Sequence, residues 1–298
     1  MSTVLAPQPG VVARQRTHVV ALARLEAGRM VRNPLLALAV LACAWGTWAY
    51  GEPEPWPGAH YQGFPWPAIG LQFATAALAA LSFHRERLNV GEATPVREGH
   101  RALARLLASV VPVAVSVLAL AAMVVRIWKL GGLTLGNPPG ATAHAYFTAG
   151  ELAQPVAGLI LAVAVGAAAG RRMRSLAAAL TALATGYFIT HVYWLFTGPL
   201  APFSIFQSQP VYVDLGPGVD PATLPGDWLL SAPSQYQEDW VRLVVSEPLA
   251  WWHDGWLLGL ALLLLALALP RPWRRRCAIA GGLLAVVSVV AQYVVYPR

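Results

Sequence analysis

The sequence predicts an all-α integral membrane protein: a bundle of about seven (six to seven) transmembrane helices preceded by an N-terminal interfacial elbow helix. Three observations carry this. Of the 298 residues, 57% are hydrophobic and only 12% charged, with a mean hydropathy of +0.53; a soluble domain carries about 25% charge. Apolar runs recur that are long enough to cross the roughly 30 Å hydrocarbon core of a bilayer. The arginines cluster in alternate connections between those runs.

The runs are about 34–50, 66–83, 105–125, 152–170, 175–197, 251–269 and 277–296. They are expected to be helices, because a helix satisfies its own backbone hydrogen bonds in lipid. No alternation of the barrel kind is present. Residues 1–33 form a cytosolic segment, 34–298 the transmembrane domain, and 198–250 a large outer loop.

Orientation follows from the arginines. With residues 1–33 in the cytoplasm, 17 of the 21 basic residues lie on the inner side, among them Arg24, Arg29, Arg85, Arg97, Arg171 and Arg274. Four of the 14 acidic residues accompany them, so the inner side is +13 and the outer side −6. The N-terminus is then cytoplasmic, and the C-terminus external if residues 277–296 cross. The basic pI of 9.8 is a topology signal. Arginines divided among four membrane-edge segments do not make a nucleic-acid surface. The Ala-, Arg- and Trp-rich usage with a single Lys matches high-GC bacteria and places the chain in the plasma membrane. Cys43 inside the first run and Cys277 at an inner edge are expected to stay reduced.

In residues 16–32, Val19, Leu22, Ala23 and Met30 share one helical side, with Arg24, Arg29 and Arg32 opposite. Glu26 falls on the apolar side and breaks the pattern. The segment is either a basic flank or an elbow helix lying in the interface, and Asn33-Pro34 ends it. The connection after the second run, 84–105, predicts helix, break, helix, with Thr94 as cap and Pro95 in the first turn of the second helix. It is either a solvated loop or a docking surface for a soluble partner. In the outer loop, "SQYQEDWVRLVVSEPLAWWHDGW" predicts a short amphipathic helix carrying Trp240, Leu243 and Val244 at headgroup level.

Several activities are excluded. The single lysine, Lys129, follows no glycine loop, so the chain is no P-loop ATPase. No HExxH, CxxC or G-x-S-x-G is present, and no metal or catalytic constellation is expected. His60, His144, His253 and Asp254 match no metal spacing. The run interiors are expected to lack Asp, Glu, Lys and Arg, leaving His191 as the one titratable group well inside; it is either a packing residue or a relay.

"RLEAGRMVRNPLLALAV" resembles the elbow segment that opens permease subunits of ATP-binding-cassette exporters. "RERLNVGEATPVREGHRALARLLASVV" is similar to the connection between spans two and three of that family. The stretch from Trp251 to Gln292 resembles the last spans of its actinobacterial members. The chain departs from the family in having seven apolar runs where six are usual.

The resemblance implies a pathway between two permease protomers, identical or different, powered by separate ATPase subunits that hold ATP and magnesium. It implies that the 84–105 linker is a coupling helix resting on the ATPase through Arg85, Glu86, Arg87, Glu92, Arg97 and Glu98. It also implies outer helices that dip back between the last spans. Phe73, Tyr187, His191, Tyr193, Trp194 and Phe196 would then line a path for a hydrophobic or amphipathic compound; otherwise they are packing residues and interface anchors. Two other readings remain: a non-transporting anchor, sensor or immunity subunit, and a membrane enzyme with an outer-face site using Glu151, His253 and Asp254.

Overall fold

The computed structural model describes residues 9–49, 66–88, 97–135, 142–193, 200–205, 211–214, 228–230 and 241–296. Among them are the helices α1 (Pro9–Val31), α2 (Pro34–Ala49), α3 (Trp66–Leu88), α4 (Glu98–Lys129), α5 (Ala149–Arg172), α6 (Leu176–Tyr193), α7 (Glu247–Ala268) and α8 (Arg271–Val295). Each predicted apolar run overlaps one of these helices.

The expected number of spans is six to seven. Among the described residues, five helices (α3, α4, α5, α7 and α8) are each long and apolar enough to cross a membrane. The pair α1 and α2, bent by 55° at a short break, raises that to six if counted as one span. In α6 the apolar part, Leu176–Ile189, is shorter. The architecture is consistent with a helical membrane protein.

Local chemistry sets the helix ends. Leu35 N–H donates to Asn33 Oδ1 (3.0 Å), so Asn33 caps α2 with Pro34 in its first turn. At the end of α4, Gly131 and Gly132 have φ of 84° and 108°. Gly132 N–H donates to Ile127 O and Gly131 N–H to Trp128 O, both at 3.2 Å, a Schellman closure that glycine adopts without strain. Thr148 and Glu151 cap α5 reciprocally: Glu151 N–H donates to Thr148 Oγ1 (3.3 Å) and Thr148 N–H to Glu151 Oε2 (3.0 Å). Thr148→Ala removes one half of this box. It is expected to lower stability by about 1 kcal/mol, read as a small fall in the melting temperature of detergent-solubilised protein.

Three beginnings differ from expectation. Helix α4 starts at Glu98 after Arg97, not at Thr94-Pro95, which lie outside the described residues; Glu98 supplies the negative charge that the first turn favours. Residues 241–246 are a strand, not an amphipathic helix. In a three-stranded antiparallel sheet of β3 (Val211–Asp214), β4 (Trp228–Leu230) and β5 (Val241–Ser246), β5 is central. The run Val-Arg-Leu-Val-Val favours strand through its β-branched residues. The helix begins only at Glu247, with Ser246 Oγ accepting from Leu249 N–H (3.4 Å). A hairpin of β1 (Leu133–Leu135) and β2 (Thr142–Ala145) joins α4 to α5.

The bundle closes through small residues. A Cβ on Gly166 would lie 2.9 Å from Ala76 Cα, and one on Gly170 equally close to Ala80 Cα, so α5 and α3 meet backbone to backbone. Gly150 sits against Ala250 at the start of α7, and Gly281 of α8 against Gly259 O of α7 (2.8 Å from its missing Cβ). Lipid offers no hydrophobic drive between helices, so close approach of backbones supplies the packing energy instead. Outward faces carry Leu38, Leu41 and Trp45 on α2, and Leu283, Val286, Val290 and Val294 on α8. Cys43 is buried and Cys277 part-exposed, and both are free.

Candidate functional site

The arginine-rich end of the bundle is tied by three polar contacts, each joining a different pair of helices. The first resolves the misfit of Glu26. Val19, Glu26 and Met30 share the buried side of α1, and that side faces the bundle rather than the acyl boundary. Glu26, 3% exposed, accepts from Ser82 Oγ of α3 (3.0 Å) and from Arg29 Nη1 (2.7 Å), with Arg85 Nη1 at 3.6 Å. The second contact is an ion pair between Glu98, in the first turn of α4, and Arg171, in the last turn of α5. In the third, Arg172 Nε donates to Leu267 O near the end of α7 (3.0 Å). Phe83, Ala102, Ala167 and Ala268, one from each of α3, α4, α5 and α7, pack beneath these contacts.

The predicted coupling residues therefore divide. Arg85 and Glu98 flank the 89–97 connection, and each is engaged with a neighbouring helix. Arg97 is exposed at the N-cap of α4. Glu86 and Arg87 belong to the last turn of α3, but their side chains lie outside the described residues, as does Glu92 entirely.

A cavity of about 110 Å³ opens between α3, α5 and α6, lined by Gln72, Gly158, Leu161, Leu183, Gly186 and Tyr187 among others, with Ile205 at one side. Gln72 supplies its one carboxamide, and Gly158 leaves the room that this amide fills. Tyr187 meets Phe73 edge to face at 5.7 Å between ring centres. Two predicted pathway residues are thus in contact, and one of them, Tyr187, lines this cavity. The side chains of His191 and Tyr193, and all of Trp194 and Phe196, lie outside the described residues. The volume is below the roughly 150 Å³ that admits a benzene and far below the 300 Å³ and more of a drug-sized site.

At the far end, Arg126 Nη2 donates to Trp48 O (3.0 Å), and its guanidinium lies 4.9 Å from the centre of the Trp48 ring. A short 3₁₀ turn, Ala201–Phe203, closes the gap between α7 and α8. Trp256 Nε1 donates to Ser204 O (3.1 Å) and Gln292 Nε2 to Pro202 O (3.2 Å). His253 Nδ1–H donates to Gln292 Oε1 (3.1 Å).

This end corrects the expectation of charge-free interiors. Because α7 starts at Glu247, Asp254 lies two turns inside it, and Asp254 and His253 are both buried. Arg105 is buried likewise, two turns into α4. The apolar run alone placed Asp254 at a membrane edge; the Ser246 cap, five residues before Trp251, is the signal for the earlier start. Glu151, expected on an outer face beside His253 and Asp254, is buried and serves as the cap of α5.

Comparison of the chain with protein-family models, with curated proteins and with solved structures gave no match.

Proposed function

We propose that the chain is the membrane-spanning subunit of an exporter for a hydrophobic or amphipathic compound, driven by a separate ATP-binding-cassette ATPase. One observation carries the reading. The two charges that flank the 89–97 connection are each bonded to another helix, Arg85 to Glu26 of α1 and Glu98 to Arg171 of α5. Arg172 extends the chain of contacts to α7. A push on the connection from outside the membrane is thereby delivered to five helices at once, α1, α3, α4, α5 and α7, which is the mechanical requirement of a lever.

The arginine-rich character of this end and the absence of any nucleotide loop in the chain agree with an external motor. ATP and magnesium belong to that motor. The 110 Å³ cavity is too small for an amphipathic molecule; in this reading the pathway runs between this chain and a second permease protomer, identical or different. The bilayer in question is the plasma membrane, with the arginine-rich end cytoplasmic.

The test is purification of the tagged full chain from native membranes, followed by reconstitution with whatever ATPase accompanies it. The expected result is a stoichiometric ATP-binding-cassette ATPase and ATP-dependent extrusion of an amphipathic dye from proteoliposomes. Glu86→Arg with Arg87→Glu, both in the last turn of α3, is expected to cut the recovered ATPase severalfold and to uncouple residual hydrolysis from extrusion. Purification without any such ATPase overturns the reading; recovery unchanged by the double substitution overturns the role of the linker.

A further inference from the structure

A buried polar layer crosses the far end of the bundle, and neither the lever nor the cavity uses it. Helices α5 and α7 run side by side from this end. Gly150 meets Ala250, and further along Ala157, Leu161, Leu257 and Ala261 form one cluster. On α7 the contact stripe is 250, 254, 257, 261; on α5 it is 150, 154, 157, 161, the spacing of one helical face. This register sets Asp254 level with Gln154 inside an otherwise apolar and small-residue seam.

Asp254 is 5% exposed, and neither of its carboxylate oxygens accepts a hydrogen bond from the described residues. His253 Nε2 and Ser288 Oγ, both in fully buried residues, also lack a partner among the described residues. Ser288 faces Gly255 from α8, the residue next to Asp254.

The groups around Asp254 can be named element by element. Helix α5 presents Glu151, which is committed to the capping box, and Gln154. Helix α8 presents Ser288 and Gln292, both uncharged, and the 202–205 segment presents Ser204 and the Pro202 carbonyl. Helix α7 itself adds His253 and, two turns back, Glu247. No described Arg or Lys is paired with Asp254, and the arginines of α8 lie at the opposite end. A bare carboxylate in such a place is costly in free energy. Ionisable groups inside a span mark proton and ion routes.

We propose that Asp254 is a proton-binding carboxyl, reached from the far end of the bundle and buried about 10 Å along α7 from its start. Ser246, where α7 leaves the sheet, is the entry side. The site is independent of the ATPase reading, because it is a property of this chain alone.

The experiment uses the full chain in proteoliposomes and dicyclohexylcarbodiimide, an apolar reagent that adds across the O–H of a buried carboxylic acid and does not react with a carboxylate. Peptide mass mapping is expected to find one adduct, on Asp254, forming severalfold more slowly as the pH is raised and unaffected by sodium. The water-soluble carbodiimide is expected to leave Asp254 unlabelled. Asp254→Asn should abolish the adduct, and the carboxylic-acid carbonyl band in the infrared should vanish with it. The wild-type map alone is decisive if the variant fails to fold. Absence of the adduct, a rate indifferent to pH, labelling by the water-soluble reagent, or protection by sodium each overturns the proposal, the last in favour of a sodium site.

Discussion

Gly166→Leu is expected to abolish the stable bundle. Even a methyl group at Gly166 would collide with the backbone of Ala76, and no side-chain rotation relieves a clash with a carbonyl. Helix α5 would have to move away from α3 along the whole seam, opening Gly170 from Ala80 as well. Overpacking of a tight core costs about 1–3 kcal/mol, and a seam of two backbones stands at the top of that range. The variant should aggregate on solubilisation or melt many degrees lower, as size exclusion and a thermal scan would show. Gly282→Leu is the matched control: a Cβ there meets nothing within 4 Å. Its elution and melting should match wild type, and a similar loss in both variants would refute the seam argument.

Glu26→Lys should release α1 from the bundle. The side chain is buried between Ser82 and Arg85, with Arg29 beside it. A lysine there faces two guanidinium groups and buries a charge with no counter-ion, a defect worth roughly 3–5 kcal/mol. Limited proteolysis should then cut within residues 9–31, where wild type resists, and Arg85→Glu should partly restore protection. Glu26→Gln keeps an acceptor for the Ser82 hydroxyl and should show a smaller effect. If Glu26→Lys leaves the proteolysis pattern unchanged, α1 is not anchored through this residue.

The helices were legible because a stretch without charge in an arginine-flanked chain has few alternatives to helix. The misplaced Glu26 was itself the sharpest local clue. An acidic residue on an apolar face needs a partner, and Ser82 and Arg85 supply it from a helix nearly sixty residues away, which no local pattern reveals. The seam was legible in principle, since "GAAAG" at 166–170 is the small-xxx-small spacing of close helix pairs. Residues 241–246 were misread because aromatic and aliphatic residues at loose spacing fit an interfacial helix as well as a strand. Pairing with β3 and β4 decided between them. Asp254 was assigned to the membrane edge because the edge was drawn where the apolar run begins, not where the cap sits.

The seams that join α3 to α5, and α5 to α7, have a mechanical consequence. Glycine and alanine carry no side chain that can swing, so these helices have one way of fitting and cannot ratchet past one another. They act as a chassis. Helix α6, which meets α3 through Leu183 and the Phe73 and Tyr187 rings, has adaptable surfaces and can shift without undoing a backbone contact. Any alternation between two shapes is therefore carried by the perimeter swinging about a stiff spine, with the cavity at their boundary the first volume to change.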